Sequence, residues 1–580
     1  MGGVTGPALL PARWRRVVLA VASVAFLAIG LRQASRDAPT VDEGVDVSSG
    51  LVAVVKHDLR MNPEHPVLPK AIASLPALLA HPIVPDTPAY RQGDWFTYSD
   101  DLIRANAEAG RLHDVLLWSR AVALLEGVAC GLLLYRLAAR FFGPDGGLLA
   151  ALAWFTTPYV VGLSHTAMID VPFVLATLGV LELTGRWLDR PGVGRTVALG
   201  AGLGAALATR HTALVLAVVV AALVVHHHRK APRDAARDLG IVVLVSVVGL
   251  WLVYRGLAPT GSSSAVEARL QGLIDSQGGG SLPVRLIGAL PLPLEWRAGF
   301  AYLDLTSTAR PSYLLGHAWD GGRWWYFPIS ALVKLPLTLT AAVVGGWVLA
   351  VRGHRNRRAL AALVAGPGVL LWLFLAAQPL NLGLRLALPV VALSFVGLGA
   401  LAEPLTAAVR RLADRPRRPA GWALAGAGVV VALVQVAASA VAVPHSLAWT
   451  PPPWRPAYRW VSDANLDAGQ AAYELRAWAR SHQHPYVAYD TTRGLRVGGG
   501  SRSLTLVDPE TVTGWVAVGV TPLVQTRRAE LAWLRRWCPV GTLGGGAVLV
   551  YRFERPPGPT PGTARPAAPC FGAGWSTARD

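Results

Sequence analysis

Charge is in short supply in this chain: 15% of its 580 residues are Asp, Glu, Lys or Arg, whereas 53% are hydrophobic. Soluble domains carry roughly a quarter charged residues, so the deficit excludes an ordinary water-soluble globule and points to a polytopic membrane protein. Lysine is the scarcest cation, confined to Lys56, Lys70, Lys230 and Lys334, and Arg supplies nearly all the remaining positive charge. Cysteine is limited to Cys130, inside an apolar run, and to Cys538 and Cys570 near the C-terminal end. That leaves room for one disulfide there; the spacing carries no geometry, so a bridge and two free thiols both stay open. No internal repeat is visible, which counts against a transporter built from duplicated halves.

What the chain has instead is apolar length. A helix crossing a bilayer needs roughly 18–25 largely apolar residues. Candidate runs fall near 17–31, 115–138, 146–164, 170–188, 196–209, 212–228, 238–256, 326–350, 359–377, 386–402 and 421–443. The expected fold is therefore a polytopic α-helical membrane protein with about eleven transmembrane helices. The formal charge of +19 is not pooled in one arm. With a cytoplasmic N-terminus, the clusters Arg136/Arg140, Arg186/Arg190/Arg195, Arg229/Lys230/Arg233/Arg237, Arg352/Arg355/Arg357/Arg358 and Arg410/Arg411/Arg415/Arg417/Arg418 all share one side. The positive-inside rule accounts for that pattern, and nucleic-acid binding is set aside as its cause.

Three regions then separate. Residues 1–444 form the membrane module, with external segments at 32–114 and 256–325. Residues 445–555 alternate helical stretches (470–481, 526–537) with strand-like runs (486–489, 504–507, 514–520, 547–553), which predicts a small extracytoplasmic α/β domain. Residues 556–580 are Pro-rich and are expected to lack order.

The first external segment concentrates chemistry. Thr40-Val41-Asp42-Glu43-Gly44 places two carboxylates about ten residues past a span, before the Pro-braced stretch Asn62-Pro63-Glu64-His65-Pro66-Val67-Leu68-Pro69-Lys70. One of Asp42 and Glu43 is expected to take a proton from a substrate hydroxyl while the other orients it. His65 and Lys70 are held by prolines, and Lys70 reads as an anion contact at the membrane surface or as a snorkelling side chain. Asp170, Arg210, Lys334 and Arg385 are ionisable residues at the outer ends of spans, hence candidates for substrate and donor-phosphate contacts. Glu126 and Glu182 lie deeper and read as helix–helix hydrogen-bonding groups. His226–His228 beside Arg229 reads as a cytoplasmic helix end rather than a metal tract.

These blocks carry a resemblance. Asp42-Glu43 stands where the GT-C glycosyltransferases of the protein O-mannosyltransferase-like group (glycosyltransferase family 39) have an acidic motif, and residues 62–70 resemble their HPPLxK stretch. Gly321-Gly322-Arg323-Trp324-Trp325-Tyr326-Phe327-Pro328 with Lys334-Leu335-Pro336 resembles a GxWYYFP…VKxP block. Asp463-Ala464-Asn465-Leu466-Asp467-Ala468-Gly469-Gln470 is similar to the DSNLDWGQ sequence of bacterial members, with Ala464 and Ala468 replacing Ser and Trp. The resemblance implies an inverting, mannosyltransferase-like enzyme of a bacterial cell membrane. It would move a sugar from a polyprenyl-phosphate donor to an acceptor hydroxyl of a protein, lipid or glycan on the extracytoplasmic side. Asp42 would be the base and Glu43 its assistant. Lys70 and Arg385, with Arg210, would neutralise the leaving phosphate. No cofactor or metal is required by this scheme, although His65 with Asp42 or Asp170 offers ligands for one. The competing readings are a flippase of lipid-linked saccharides and an inactive relative used as a binding module.

Overall fold

The computed structural model describes residues 9–260, 267–268, 271–272, 275, 281–353, 357–414, 419–491, 495, 498, 500–525, 529–557 and 569–571. Most of the Pro-rich tail, residues 261–264 and all but Ser281 of 276–281 (two Gly/Ser-rich stretches of the second external segment), the start of the 526–537 helical stretch, and Arg355, Arg415, Arg417 and Arg418 lie outside the described residues.

Among the described residues, seven helices are long and apolar enough to cross a membrane: Ala12–Ala34, Leu112–Thr156, Asp170–Asp189, Pro232–Leu257, Arg357–Ala376, Leu384–Leu412 and Trp422–Ala442. Shorter apolar helices lie at Leu68–Ala80, Val193–Leu207, His211–His227 and Leu337–Gly353. The difference from eleven has local causes. Leu112–Thr156 contains the run expected at 115–138 and the first part of that expected at 146–164, joined through a break at Gly143, where φ is 74° and Pro144 follows; the rest of the second run is a separate helix, Pro158–Ser164. The run expected at 326–350 is also divided. Its first part, Tyr326–Lys334, ends at Leu335-Pro336, and a new helix starts at Leu337, because proline offers no amide to continue the ladder. Glu182 draws in Arg136 (3.3 Å), Arg140 (3.7 Å) and Arg186 (2.9 Å), tying the Leu112–Thr156 and Asp170–Asp189 helices together at one end.

The 32–114 segment is largely helical, with helices at Val41–Lys56, Leu68–Ala77, Pro88–Gln92 and Trp95–Glu108. The first begins with a capping box: the Thr40 hydroxyl accepts from the Glu43 amide while the Glu43 carboxylate accepts from the Thr40 amide. In the second segment, helices Leu282–Gly288 and Leu294–Thr306 precede a hairpin of β1 (Pro311–Leu314) and β2 (His317–Asp320). Its turn residues Leu315 and Gly316 both have positive φ (54° and 82°), as a two-residue I′ turn requires.

The C-terminal region carries a five-stranded sheet of β3 (Tyr486–Ala488), β4 (Arg502–Ser503), β5 (Gly514–Gly519), β6 (Gly541–Leu543) and β7 (Val548–Phe553), in the order β4-β3-β5-β7-β6. β3 runs parallel to β4 and β5, while β7 is antiparallel to β5 and β6. Residues 504–506 form a 3-10 turn instead of the expected strand. Cys538 and Cys570 are disulfide-bonded, with Cα atoms 5.7 Å apart. One contiguous core runs from Phe26 and Trp154 in the bundle through Leu388 and Val461 to Val516 and Leu549 in the sheet. Burial of that shared apolar surface is what seats the sheet on the end of the bundle.

Candidate functional site

A cavity of about 500 Å3 opens where the helical segment 41–70 meets the bundle, and its lining includes Asp42, His65, Asp170, Arg210 and Arg385. Four of these, from four separate stretches of chain, form one line of alternating charge. Arg385 donates to Asp42 and lies 3.9 Å from Asp170, and Arg210 donates to the other Asp170 oxygen at 2.8 Å. Local structure explains each position. Asp42 stands in the first turn of its capped helix and Asp170 opens the next span, both where a helix N-terminus favours a carboxylate. Arg210 sits in the break between the Val193–Leu207 and His211–His227 helices, and Arg385 in the 3-10 turn that starts Leu384–Leu412. Asp42 keeps 47% of its side chain exposed, against 14% for each arginine and 5% for Asp170. It is the member of the line most open to an incoming molecule.

Three expected site residues point elsewhere. Glu43 is absent from the cavity wall. Its oxygens accept from Arg120 Nε and Nη2 at 2.8 and 2.7 Å, from the Ala167 amide at 2.8 Å and from the Thr40 amide at 3.2 Å. Burial alone would raise its pKa, but the guanidinium and the two amides outweigh burial and hold the carboxyl below its ordinary value. Lys70 donates to the carbonyls of Asn62 (2.8 Å) and His65 (2.6 Å), bracing the 62–66 turn from behind. Lys334 donates to the carbonyls of Leu447, Trp449 and Asn465 at 2.6–2.7 Å. Neither lysine lines the cavity. The three pin the scaffold around the cavity because their polar atoms are already engaged by buried partners.

The cavity also contains groups that the sequence reading passed over. Asp46 follows Asp42 by one helical turn, and Asn62, Glu64 and Arg310 complete a polar end with His65. Burial raises the Asp46 carboxyl, which the Lys70 ammonium only partly offsets, and burial lowers Lys70 in turn. Glu64 is raised by burial and by Asp42. His65 is lowered well below its usual value by burial and by Arg210, so its ring is neutral near pH 7. A neutral imidazole exchanges hydrogen bonds with hydroxyls but does not attract a phosphate by charge. The buried Asn62 Oδ1 and His65 Nδ1 atoms have no hydrogen-bond partner in the described structure. Gly299 lets the Leu294–Thr306 helix close over this end: a Cβ there would fall 1.9 Å from the Pro63 carbonyl oxygen. The i, i+4 spacing of Asp42 and Asp46 was the available signal for the second carboxylate, while nothing local marked Arg310.

The stretch around Arg385 adds apolar lining in Phe374, Leu375, Leu380, Leu382 and Leu386. The site thus has an apolar lining, two arginines tied to carboxylates, a half-exposed Asp42, and a polar end rich in hydrogen-bonding groups.

Residues 112–254 match the family described as dolichyl-phosphate-mannose-protein mannosyltransferase. No curated protein matches the chain. Among solved structures, the chain is similar in course to ArnT from Cupriavidus metallidurans bound to undecaprenyl phosphate, at 16% identity and TM-score 0.46, covering 81% of this chain and 72% of that one. The apo form of ArnT aligns at 13% identity and TM-score 0.46, over 93% and 97% of the two chains. The Archaeoglobus fulgidus oligosaccharyltransferase tethered with an acceptor peptide aligns at 12% identity and TM-score 0.47, over 97% and 77%. Likenesses at these scores carry no argument about chemistry. Over residues 112–254 the chain is similar to the protein-mannosyltransferase family of that description.

Proposed function

We propose that this multi-pass membrane protein transfers a hexose, mannose-like in class, from a polyprenyl-phosphate donor to an acceptor hydroxyl, with inversion. The observation that carries the reading is the line Asp42–Arg385–Asp170–Arg210 along one cavity whose lining also holds apolar side chains and a group of hydrogen-bonding residues. The apolar side chains suit an isoprenoid chain and the arginines suit its phosphate. Asp46, Asn62, Glu64 and His65 suit the hydroxyls of a sugar. The family description, which names a dolichyl-phosphate sugar, supports the same donor class.

In the proposed step an Asp42 carboxylate oxygen takes the proton of the acceptor hydroxyl. The acceptor oxygen so freed attacks the anomeric carbon from the face opposite the phosphate. The anomeric C–O bond breaks, and its electron pair leaves on the polyprenyl phosphate. Arg385 and Arg210 meet the charge that grows on the phosphate, which is where fixed cations lower a barrier most. The anionic leaving group needs no general acid, so one base suffices, unlike the paired carboxylates of glycosidases. Asp170 holds both arginines in place.

A saccharide flippase is less well supported. Asp170, Arg210 and Arg385 all sit at the starts of helical elements rather than in mid-helix. We place the 445–555 region and the cavity on the extracytoplasmic side of a bacterial cell membrane, a reading supported by the Cys538–Cys570 disulfide and by the basic clusters on the other side. The acceptor would then meet the site from the sheet-bearing side.

The test is transfer by the purified protein in detergent. Radiolabelled polyprenyl-phosphate hexoses are offered with a membrane extract, with Asp42→Asn in parallel. Label leaving the lipid with wild type only supports enzyme and base together. Equal release with Asp42→Asn overturns the base, and no release from any donor overturns the transferase.

A further inference from the structure

The block 463–470 enters no step of the proposed reaction, yet it binds the chain directly before both members of the Asp42–Arg385 pair. Asn465 is fully buried. Its Oδ1 accepts from the Leu384 amide at 2.8 Å, and its Nδ2 donates to the Tyr326 hydroxyl at 3.1 Å. That hydroxyl also accepts from the Gly383 amide at 3.1 Å. Two successive amides immediately ahead of Arg385 are therefore held by one side chain and by the phenol it grips. The Asn465 carbonyl takes the Lys334 ammonium at 2.7 Å, and the neighbouring Ala464 carbonyl takes the Tyr159 hydroxyl at 3.2 Å. The block is thereby anchored to the bundle.

Its other end holds the other loop. The Ala468 carbonyl accepts from the Val41 amide at 3.1 Å, and the Gln470 carbonyl accepts from the Ala38 amide at 3.0 Å. These bonds lie on either side of Thr40, the cap of the helix that presents Asp42. Gln470 folds back to stiffen the block: its Oε1 accepts from the Ala468 amide at 2.7 Å and its Nε2 donates to the Leu466 carbonyl at 2.8 Å. Asp42 and Arg385 are 343 positions apart in sequence, but Val41 and Leu384 are bound by residues three apart in one rigid block.

We propose that residues 463–470 are a clamp that sets the Asp42–Arg385 contact, with Asn465 as its positioning residue. A carboxamide suits the position because it offers an acceptor and a donor at once, one for each partner. The replacement of Ser and Trp by Ala464 and Ala468 costs the clamp nothing, since those positions act through main-chain carbonyls. The Arg385 loop sits tightly on the block: Gly383 has φ 84°, and a Cβ there would lie 3.0 Å from the Ala464 Cβ. Gly383 is thus held to glycine twice over, by its backbone conformation and by this approach.

The inference rests on reading Asp42 and Arg385 as the reaction centre, so its test includes a readout independent of transfer. Asn465→Leu, Asn465→Asp and Gly383→Ala would be compared with wild type by amide exchange of peptides covering 380–388 and 38–44, and by donor and acceptor kinetics. The expected result for Asn465→Leu is exchange faster by about tenfold or more in 380–388. Peptides of the Pro232–Leu257 helix should be unchanged. We expect kcat to fall about 100-fold through misplacement of Arg385, with donor KM within about threefold of wild type. Asn465→Asp keeps an acceptor for the Leu384 amide and should recover part of kcat, a graded rescue that a merely structural role would not give. A folded Asn465→Leu protein with wild-type exchange at 380–388, or with wild-type kcat, overturns the clamp. Should Asn465→Leu fail to fold, Asn465→Asp and Gly383→Ala decide it by the same exchange measurement. Should wild type transfer no sugar at all, the proposed function falls, and the exchange result still decides the clamp.

Discussion

Asp42 and Glu43 are neighbours in one helical turn, each paired with an arginine from a distant segment, and their surroundings could hardly differ more. Glu43 and Arg120 are 0% and 1% exposed, and the arginine also donates to the carbonyls of Ala34, Asp37 and Ala38. Asp42 is 47% exposed and meets Arg385 at the mouth of a cavity. Successive residues on a helix point about 100° apart, so one carboxylate faces the packed joint between helices and the other faces open space. The first arginine pair fixes where the helix begins. The second is left with an oxygen available to something that binds. Adjacent carboxylates here are a buried pin and, on the proposed function, a working group.

The largest expected effect tests the working half. Asp42→Asn should lower transfer by about 100- to 10,000-fold, the range associated with loss of a general base. Its unfolding midpoint should stay near wild type, because a half-exposed ion pair contributes little to stability. Glu43→Ala should do the opposite. Removing one partner of a buried ion pair costs about 3–5 kcal/mol, read as a lower unfolding midpoint and poorer yield. Pairing Glu43→Leu with Arg120→Met should recover part of that loss, since no buried charge is left uncompensated. Recovery stays incomplete because three carbonyls lose their donor. A Glu43→Ala protein of wild-type stability but no activity would erase the contrast. Next in size, Arg210→Gln should weaken transfer less than Arg385→Gln. Among the described residues Arg210 is bonded to one carboxylate, Asp170, whereas Arg385 meets both Asp42 and Asp170. Polyprenyl-phosphate binding in both variants, followed beside kcat, sharpens the distinction between holding the phosphate and holding the base.

The division of labour between the two acids was half legible in the sequence. Thr40-Val41-Asp42-Glu43 is a capping-box spacing. Read that way it already assigns Glu43 to the helix start and frees Asp42. Arg120 could not be found, because nothing in an apolar helix says which buried cation will meet a carboxylate 77 positions away. The gathering of Asp42, Asp170, Arg210 and Arg385 followed from a simple regularity: ionisable residues at the same ends of spans must share one surface. Lys70 and Lys334 break that regularity. Each finds main-chain carbonyls close enough to satisfy its ammonium, Lys70 in a turn braced by Pro63 and Pro66, and Lys334 in the segment after the last span. Periodicity and hydropathy report neither. The bundle was legible because bilayer thickness dictates helix length, but breaks such as Gly143 and Pro336 depend on how a helix is packed. In the C-terminal region the alternation of short runs marked a sheet. The pairing order β4-β3-β5-β7-β6 was not readable, since it is set by contacts between runs rather than within them.

The smallest expected effect carries the same contrast into the clamp block, where Asp467 is buried like Glu43 but has no arginine. It is 4% exposed; its Oδ1 accepts from the Tyr489 hydroxyl at 2.7 Å and the Gly469 amide at 3.2 Å, while its Oδ2 meets no donor in the described structure. Burial raises its pKa to about 7, against the pull of those two donors and with a further push from Asp490 and Asp463. An unfolded aspartate titrates near 4. Between roughly pH 4 and pH 7 the folded chain therefore holds a proton that the unfolded chain has released. The favourable contribution is complete below about pH 4 and is lost as pH rises through 7, the reverse of a salt-bridged acid such as Glu43. Asp467→Asn should flatten the fall in unfolding midpoint between pH 5 and 8 by an amount on the order of 1 kcal/mol. Glu43→Gln should remove stability above pH 5 and leave the acid side little changed, because it is the ionised carboxylate that Arg120 holds. Midpoints measured across that pH range for the two variants should diverge in opposite directions from wild type. Parallel curves would mean that burial without a cation and burial with one have the same electrostatic consequence in this fold.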